Sequence, residues 1–253
     1  MKVEKLFFGY DSNNLVLRNV SFEAREGKTL AILGCSGSGK STLLKIISGL
    51  IGSGSGHFEG VIDIQGESPT IYKKKGRLSF MFQEPTLLPN LSVSENINLP
   101  LQIAGKADQS YFNSIIEKVG LVDSKTKLPH QLSGGMKTRV SLARSFVTRP
   151  ELLLLDEPFA ALDIGWKTKL YKDVYLLRRV NTTIILVTHD IEEAITLSDE
   201  LLLLGISGSI IGHYFPTEIA RKMIYDEIKE QIIRDHSSNL LKDRSKNFAA
   251  DFG

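Results

Sequence analysis

Gly34-Cys35-Ser36-Gly37-Ser38-Gly39-Lys40-Ser41 stands between an apolar run, Leu30-Ala31-Ile32-Leu33, and a helical pattern of Leu43, Leu44, Ile46 and Ile47. The order is strand, glycine-rich turn, helix start. Glycines let consecutive backbone N–H groups turn toward one anion, and the helix N-terminus adds the positive end of its dipole. Lys40 contributes a full charge placed for β and γ phosphates, and the Ser41 hydroxyl suits Mg²⁺. The stretch therefore reads as a phosphate cradle. The competing reading is a structural glycine turn, which the strand before and the helix after disfavour.

The composition sets the frame around this loop. With 253 residues, 42% of them hydrophobic and 24% charged, the chain can bury a full core and is expected to form one domain or one domain with a subdomain. A net charge of +2 argues against a nucleic-acid or membrane-surface footprint. Lys73-Lys74-Lys75 is too short to alter that and reads as a solvated turn. The single cysteine excludes an internal disulfide framework and fits a reducing compartment. No stretch reaches the roughly 18 apolar residues of a membrane span, and Met1 to Phe8 lacks a signal-peptide core. Any link to a membrane is expected to come through a partner.

Upstream of the loop, Val3 to Phe8 and Val20 to Ala24 read as an antiparallel pair of strands separated by the turn-rich Gly9 to Asn14. Tyr10, in that turn, offers an aromatic face for a purine or is an ordinary exposed turn tyrosine. Downstream, Gly52 to Gly56 reads as a surface loop, His57 as a solvated loop histidine, and Val61 to Ile64 as a strand. Arg77 to Phe82 reads as a buried strand that Pro85 ends, leaving Gln83 at its tip. From Thr86 to Arg144 the texture turns helical, and Tyr111, Phe112, Ile115, Ile116 and Val119 form a core-packing stripe. Leu132-Ser133-Gly134-Gly135-Met136 then opens a helix with a serine and two glycines, a second anion site. One nucleotide cannot easily use both sites within one chain, which suggests two chains sharing it.

Leu152 to Leu155 is a continuous apolar run ending in Asp156 and Glu157, as expected of a central parallel strand. Ligands of open α/β sheets bind at the carboxyl ends of the strands, so Asp156 is placed to orient Mg²⁺ and Glu157 to face an attacking water. Ala160 to Asp163 is a loop, and Leu170, Tyr171, Val174 and Leu177 mark a helix. A second buried strand, Thr183 to Val187, ends in Thr188-His189-Asp190, where His189 serves either as a cap or in chemistry. Glu200 to Gly205 and Ser209 to Tyr214 read as a closing strand pair. Ile219, Met223, Ile224, Ile228, Gln231 and Ile232 form a mostly apolar helical stripe, read as packing on the core in preference to a partner contact.

The phosphate loop, Gln83, Leu132 to Gly135, Leu154 to Glu157, Asp163 and His189, in this order, resemble the ATP-binding cassette (ABC) ATPases that power membrane transporters. The likeness runs from about Tyr10 to Ser198. It implies an α/β P-loop NTPase core with a mainly parallel sheet, an antiparallel β subdomain and an inserted helical subdomain. It further implies that ATP is held by Gly34, Cys35, Ser36, Gly37, Ser38, Gly39, Lys40, Ser41 and Thr42, with Tyr10 stacked on the adenine. Ser41, Gln83 and Asp156 match the Mg²⁺ positions, Glu157 the general base, His189 the γ-phosphate switch and Gln83 a sensor coupled to the membrane subunit. Ser133, Gly134 and Gly135 match the signature that closes over a partner chain's nucleotide, and Asp163 the loop that crosses to that chain.

Phe82 to Pro89 and Pro129 to Met136 further resemble the ATPases of nitrate, sulfonate, taurine and related small-solute importers. Met136 replaces the glutamine of the general signature, Thr138 is less usual, and an exporter-type T-x-V-G-E-x-G segment is absent. The expected partners are a second copy arranged head to tail, permease subunits, and indirectly a solute-binding protein, at the cytoplasmic face of the membrane; no nucleic acid is expected. The expected organisation is an ATPase domain over 1–215, with core 1–85 and 145–215 around a helical insertion of about 86–144. A C-terminal helix and a mobile tail follow at 216–253. A soluble ABC ATPase of repair or translation, an exporter ATPase, and a nucleotide-binding regulator without turnover are the alternatives.

Overall fold

The structure is a computed structural model that describes residues 1–11, 14–106, 108–177 and 182–250, with side chains at all of these except 173–177 and 240–250. In chain order the elements begin with β1 (Lys2–Gly9), β2 (Leu17–Glu23), β3 (Thr29–Gly34), α1 (Lys40–Ile47), β4 (His57–Asp63), α2 (Pro69–Lys74) and β5 (Leu78–Met81). The helical stretch holds α3 (Val93–Ile103), α4 (Gln109–Lys118) and α5 (Gly134–Phe146). Then come β6 (Leu152–Asp156), α6 (Ile164–Leu177), β7 (Thr183–Thr188), α7 (Ile191–Leu197), β8 (Glu200–Leu204), β9 (Ile210–Tyr214) and α8 (Arg221–Ala250). The chain divides into two compact units, one of Met1–Ala24, Leu30–Pro69 and Val187–Gly253, the other of Arg25–Thr29 and Thr70–Leu186.

In the first unit, β1 pairs antiparallel with β2 on one side and β4 on the other. Val3, Leu6, Phe8, Leu17 and Val20 are buried, so one face of this sheet is core. The register slips between Val3 and Leu6, where Lys5 adopts φ 47°, an irregularity that bends the strand. The unit's second sheet runs from the end of β7 through β3 and β8 to β9, with β3 and β8 parallel and β9 antiparallel. Every residue of β3 and β8 is buried, as a strand covered on both faces requires. Ala31, Leu33, Leu201 and Leu203 meet Ala194 and Ile195 of α7 and Ile224 and Ile228 of α8 in one apolar cluster.

The second unit carries β5 and β6 in parallel, followed by β7. Leu152 to Leu155 are all buried, and each leucine so placed contributes about 2 kcal/mol. Its helices α3, α4 and α5 start on side-chain caps: Ser92 with Glu95 in a capping box, Asp108, and Ser133. Phe112, Ile115, Ile116 and Val119 are buried as the stripe predicts, while Tyr111 is half-buried under the Arg149 guanidinium, 3.8 Å away.

Several expectations are corrected. The strand after Arg77 is an edge strand and only half-buried, because nothing pairs with its outer side among the described residues. Lys73 and Lys74 end the short helix α2 instead of lying in a turn. His57 opens β4, where its Nε2 lies 3.3 Å from a Glu59 carboxylate oxygen. Of the C-terminal stripe, Ile224, Ile228 and Ile232 pack on the core, but Ile219 and Met223 are 98% and 72% exposed. Backbone helix continues to Ala250, past the Ser237 where the composition turns polar. The side chains of Val174 and Leu177, and residues 251–253, lie outside the described set.

Candidate active site

In the first unit the phosphate loop leaves the carboxyl end of β3. A Cβ at Gly34 would sit 2.5 Å from the Leu204 carbonyl and 2.8 Å from Ser38 Oγ, so only glycine fits where the loop departs. Gly37 and Gly39 take φ of 82° and 97°, left-handed conformations that turn successive N–H groups to one side. Gly39 is the N-cap of α1 and supplies no side-chain bond to the first turn. Ser38 is 1% exposed and its Oγ has no hydrogen-bond partner among the described residues. An uncapped helix start beside an orphaned buried hydroxyl is the donor set that a phosphate satisfies, so these residues fit a nucleotide.

Lys40 is buried, and its Nζ donates to the Gly34 and Cys35 carbonyls at 2.8 Å each, folding the side chain along the loop. Tyr10 is 56% exposed, packs edge-on against Phe8, and its hydroxyl lies 3.4 Å from Thr42 Oγ1. The structure thus brings Tyr10 to the first turn of α1 across 32 residues of sequence. The helix N-terminus and Lys40 suggest a thiolate at Cys35, but burial pushes the thiol up, and Asp235 adds to that against the pull of Lys40. Its Sγ is 3.0 Å from His236 Nε2 of α8.

His189 is exposed just past β7. The choice between capping and chemistry goes against capping, because Asp190 caps α7 by accepting the N–H groups of Glu192 and Glu193 at 3.0 and 3.2 Å.

In the second unit, the parallel register sets Met81 opposite Leu155, which carries Gln83 to the level of Glu157. Gln83 Nε2 donates to Glu157 Oε2 at 3.3 Å. Asp156 is 2% exposed at the end of β6, and Glu157 follows with φ 47°. A non-glycine residue held left-handed costs about 1–2 kcal/mol, and such strain gathers where a side chain must point in one direction. Ser133 Oγ accepts the Met136 N–H at 3.3 Å, while Ser133 and Gly134 are exposed. Asp163 Oδ1 accepts the Trp166 N–H at 3.0 Å and so starts α6.

Two contributors escape a reading of the sequence. Asp190 gives no signal apart from its place before a short apolar helix. Asn96 is fully buried and binds Leu88 N, Leu88 O, Leu91 O and Ser92 O, fixing the segment that follows Gln83. The Ser92-x-x-Glu95 capping box beside it is a local pattern, whereas the role of the asparagine is tertiary.

Residues 17–160 match the family described as ABC transporter. The chain belongs to that family. Among ABC relatives, it is 37% identical over 234 residues to an uncharacterized ABC transporter ATP-binding protein, YtlC, of Bacillus subtilis, covering 90% of this chain and 88% of the relative. It is 40% identical over 219 residues to the aliphatic sulfonates import ATP-binding protein SsuB of the same organism, covering 86% and 83%. Among solved ABC structures, the dimeric cassette MJ0796 in a post-hydrolysis state with ADP and Pi is 26% identical with a TM-score of 0.74, over 85% of this chain and 98% of that one. An ATP-binding subunit of an ABC transporter is 25% identical with a TM-score of 0.78, over 92% and 98%. Within this ABC chain no helix of the described residues is long and apolar enough to cross a membrane. No cluster of three or more His, Cys, Asp or Glu that could hold a metal occurs among the described residues. A divalent ion here would need a hydroxyl, a carboxylate and phosphate oxygens together, the donor set Mg²⁺ accepts.

Proposed function

We propose that the chain is the ATP-hydrolysing subunit of an importer for a small solute. The observation that carries this is Glu157, held left-handed at the end of a buried strand with the Gln83 amide on its carboxylate. A carboxylate so placed can take a proton from water, and the amide on it keeps it aimed and reports its state to the segment pinned by Asn96. Backbone N–H groups of residues 36–42, the Ser38 hydroxyl and Lys40 hold the phosphates, for which Lys40 exchanges its loop carbonyls. Tyr10 stacks on the adenine and His189 contacts the γ-phosphate. Ser41, Gln83 and Asp156 hold Mg²⁺, which supplies charge to offset the phosphates.

Ser133, Gly134 and Gly135 close on the nucleotide of a second copy arranged head to tail, and Asp163 crosses to that copy. The chain sits at the cytoplasmic face of the membrane, bound to permease subunits through Glu84 to Leu101; a solute-binding protein acts through them. The division into core 1–85 and 145–215, insertion 86–144 and C-terminal segment 216–253 belongs to the same reading.

Glu157→Gln tests it. The amide keeps the size of the side chain but cannot take a proton, so hydrolysis should slow by about 10² to 10⁴ while ATP binding survives. The variant should form an ATP-dependent dimer on a sizing column, absent with ADP and absent when Ser133→Arg is added. Normal turnover would remove Glu157 from the reaction. Tight ATP binding by a variant that stays monomeric, alone and with its membrane partner, would refute the shared site.

A further inference from the structure

Helix α5, which begins at the signature, touches the 161–163 loop and the helix after it at two levels. At the first, a Cβ on Gly135 would lie 3.4 Å from Leu162 Cδ2 and 3.5 Å from the Ala161 carbonyl. One helical turn on, Arg139 stacks over the Trp166 ring, 3.8 Å from its centroid. Positions 135 and 139 on one side therefore face 162 and 166 on the other, a spacing of four residues in each. Arg139 is 7% exposed, and its Nη1 donates to the Val119 and Gly120 carbonyls at 2.7 and 3.2 Å. Trp166 also ties down Asp163, through the N–H that its carboxylate accepts. Gly120 keeps the place open: a Cβ there would come within 2.2 Å of the Trp166 ring.

Arg139 forms no ion pair within 4 Å among the described residues, yet it is buried. A guanidinium in that position is held by carbonyl oxygens, an aromatic face and the longer-range pull of the Asp163 carboxylate, and burial of this kind is costly. Leucine or methionine would fill the space without that cost. What the arginine adds is direction, since its planar fork fixes the end of α4 while its flat face fixes the ring. Packing on α3, α4 and β5 holds the body of α5; against the 161–166 segment the contact at Gly135 alone would act as a hinge, and Arg139 on Trp166 adds a second point.

We propose that Arg139 and Trp166 are positioning residues that lock Ser133 and Asp163 into one rigid piece, so that both reach the second copy's nucleotide in a single motion. The proposal rests on the reading above in which those two residues serve the other chain. Reaction geometry tolerates errors of only about 1 Å, which a pivoting helix start would exceed.

The experiment compares Trp166→Leu, Trp166→Phe, Arg139→Lys and Ser133→Arg in the full chain. It measures kcat and KM for ATP hydrolysis at high protein concentration, nucleotide affinity of the dilute chain, and thermal melting. Leucine keeps apolar bulk without the π face and phenylalanine keeps the face. Trp166→Leu should lose about tenfold in kcat with nucleotide affinity of the dilute chain unchanged, and Trp166→Phe should recover most of it. Arg139→Lys should resemble Trp166→Leu and carries the test if that variant does not fold. Wild-type kcat in Trp166→Leu and Arg139→Lys, or a loss that follows melting and is not recovered by phenylalanine, overturns the clasp. Full turnover in Ser133→Arg overturns instead the shared-site reading beneath it.

Discussion

Alanine at Gly37 and at Gly39 separates two costs that glycine-rich loops usually mix. Both residues are left-handed, so a Cβ at either brings a conformational penalty of about 1–2 kcal/mol. At Gly37 nothing among the described residues lies within 4 Å of the added atom, and that penalty is the whole effect. At Gly39 the new Cβ meets Leu17 Cδ2 at 2.9 Å, Val16 Cγ1 at 3.0 Å and the Val16 carbonyl at 3.1 Å. Val16 cannot retreat, because its N–H is bonded to the Phe8 carbonyl at 2.7 Å and Gly208 closes against its carbonyl from the other side. Overpacking of this kind adds about 1–3 kcal/mol, so Gly39→Ala should cost about 2–5 kcal/mol in all. Gly134→Ala is the control. It has neither positive φ nor a near neighbour, and alanine suits a helix start better, so its stability should hold or rise by a few tenths of a kcal/mol. Urea unfolding without nucleotide gives the three values directly. A Gly39→Ala protein no less stable than Gly37→Ala would refute the wedge formed by Val16.

Asn96→Ala strips four hydrogen bonds from a fully buried position and should destabilise the chain by about 2–4 kcal/mol, read by denaturant unfolding, with protease sensitivity rising around Leu88 to Ser92. Cys35, whose thiol burial pushes up, should alkylate more slowly near neutral pH than an exposed thiol and speed up as pH rises past about 9. Iodoacetamide labelling followed by mass spectrometry measures this at the chain's single cysteine. A rate already flat between about pH 7 and 9 would mean a thiolate after all, and bound ATP should slow the labelling at every pH.

Much of this architecture was legible because local chemistry and global role agree in it. The apolar runs at 30–33, 152–155 and 183–187 admit few states except buried strands, and each ends beside residues of the candidate site. The phosphate loop announces its own backbone, since glycines at 37 and 39 stand where positive φ is required. What stayed hidden depends on partners far along the chain. Residues 77–82 read as a buried strand in isolation, and only the sheet order makes 78–81 an edge. Cys35 looks activated by its loop neighbours until α8, two hundred residues on, brings Asp235 and His236 beside it. His189 and Asp190 could each have capped α7 on sequence alone; the cap geometry gives that place to Asp190.

The left-handed backbone at Glu157 also bears on how this chain would change under selection. Glycine or asparagine would relax φ 47° and, by the same steric reasoning, gain about 1 kcal/mol of stability. A laboratory lineage chosen only for heat resistance would therefore be drawn toward replacing that glutamate early. With Glu157 as the base proposed above, it would arrive at a hardier protein that binds nucleotide and cannot turn it over, and the position would show the conflict as a stabilising substitution that a screen for transport always discards.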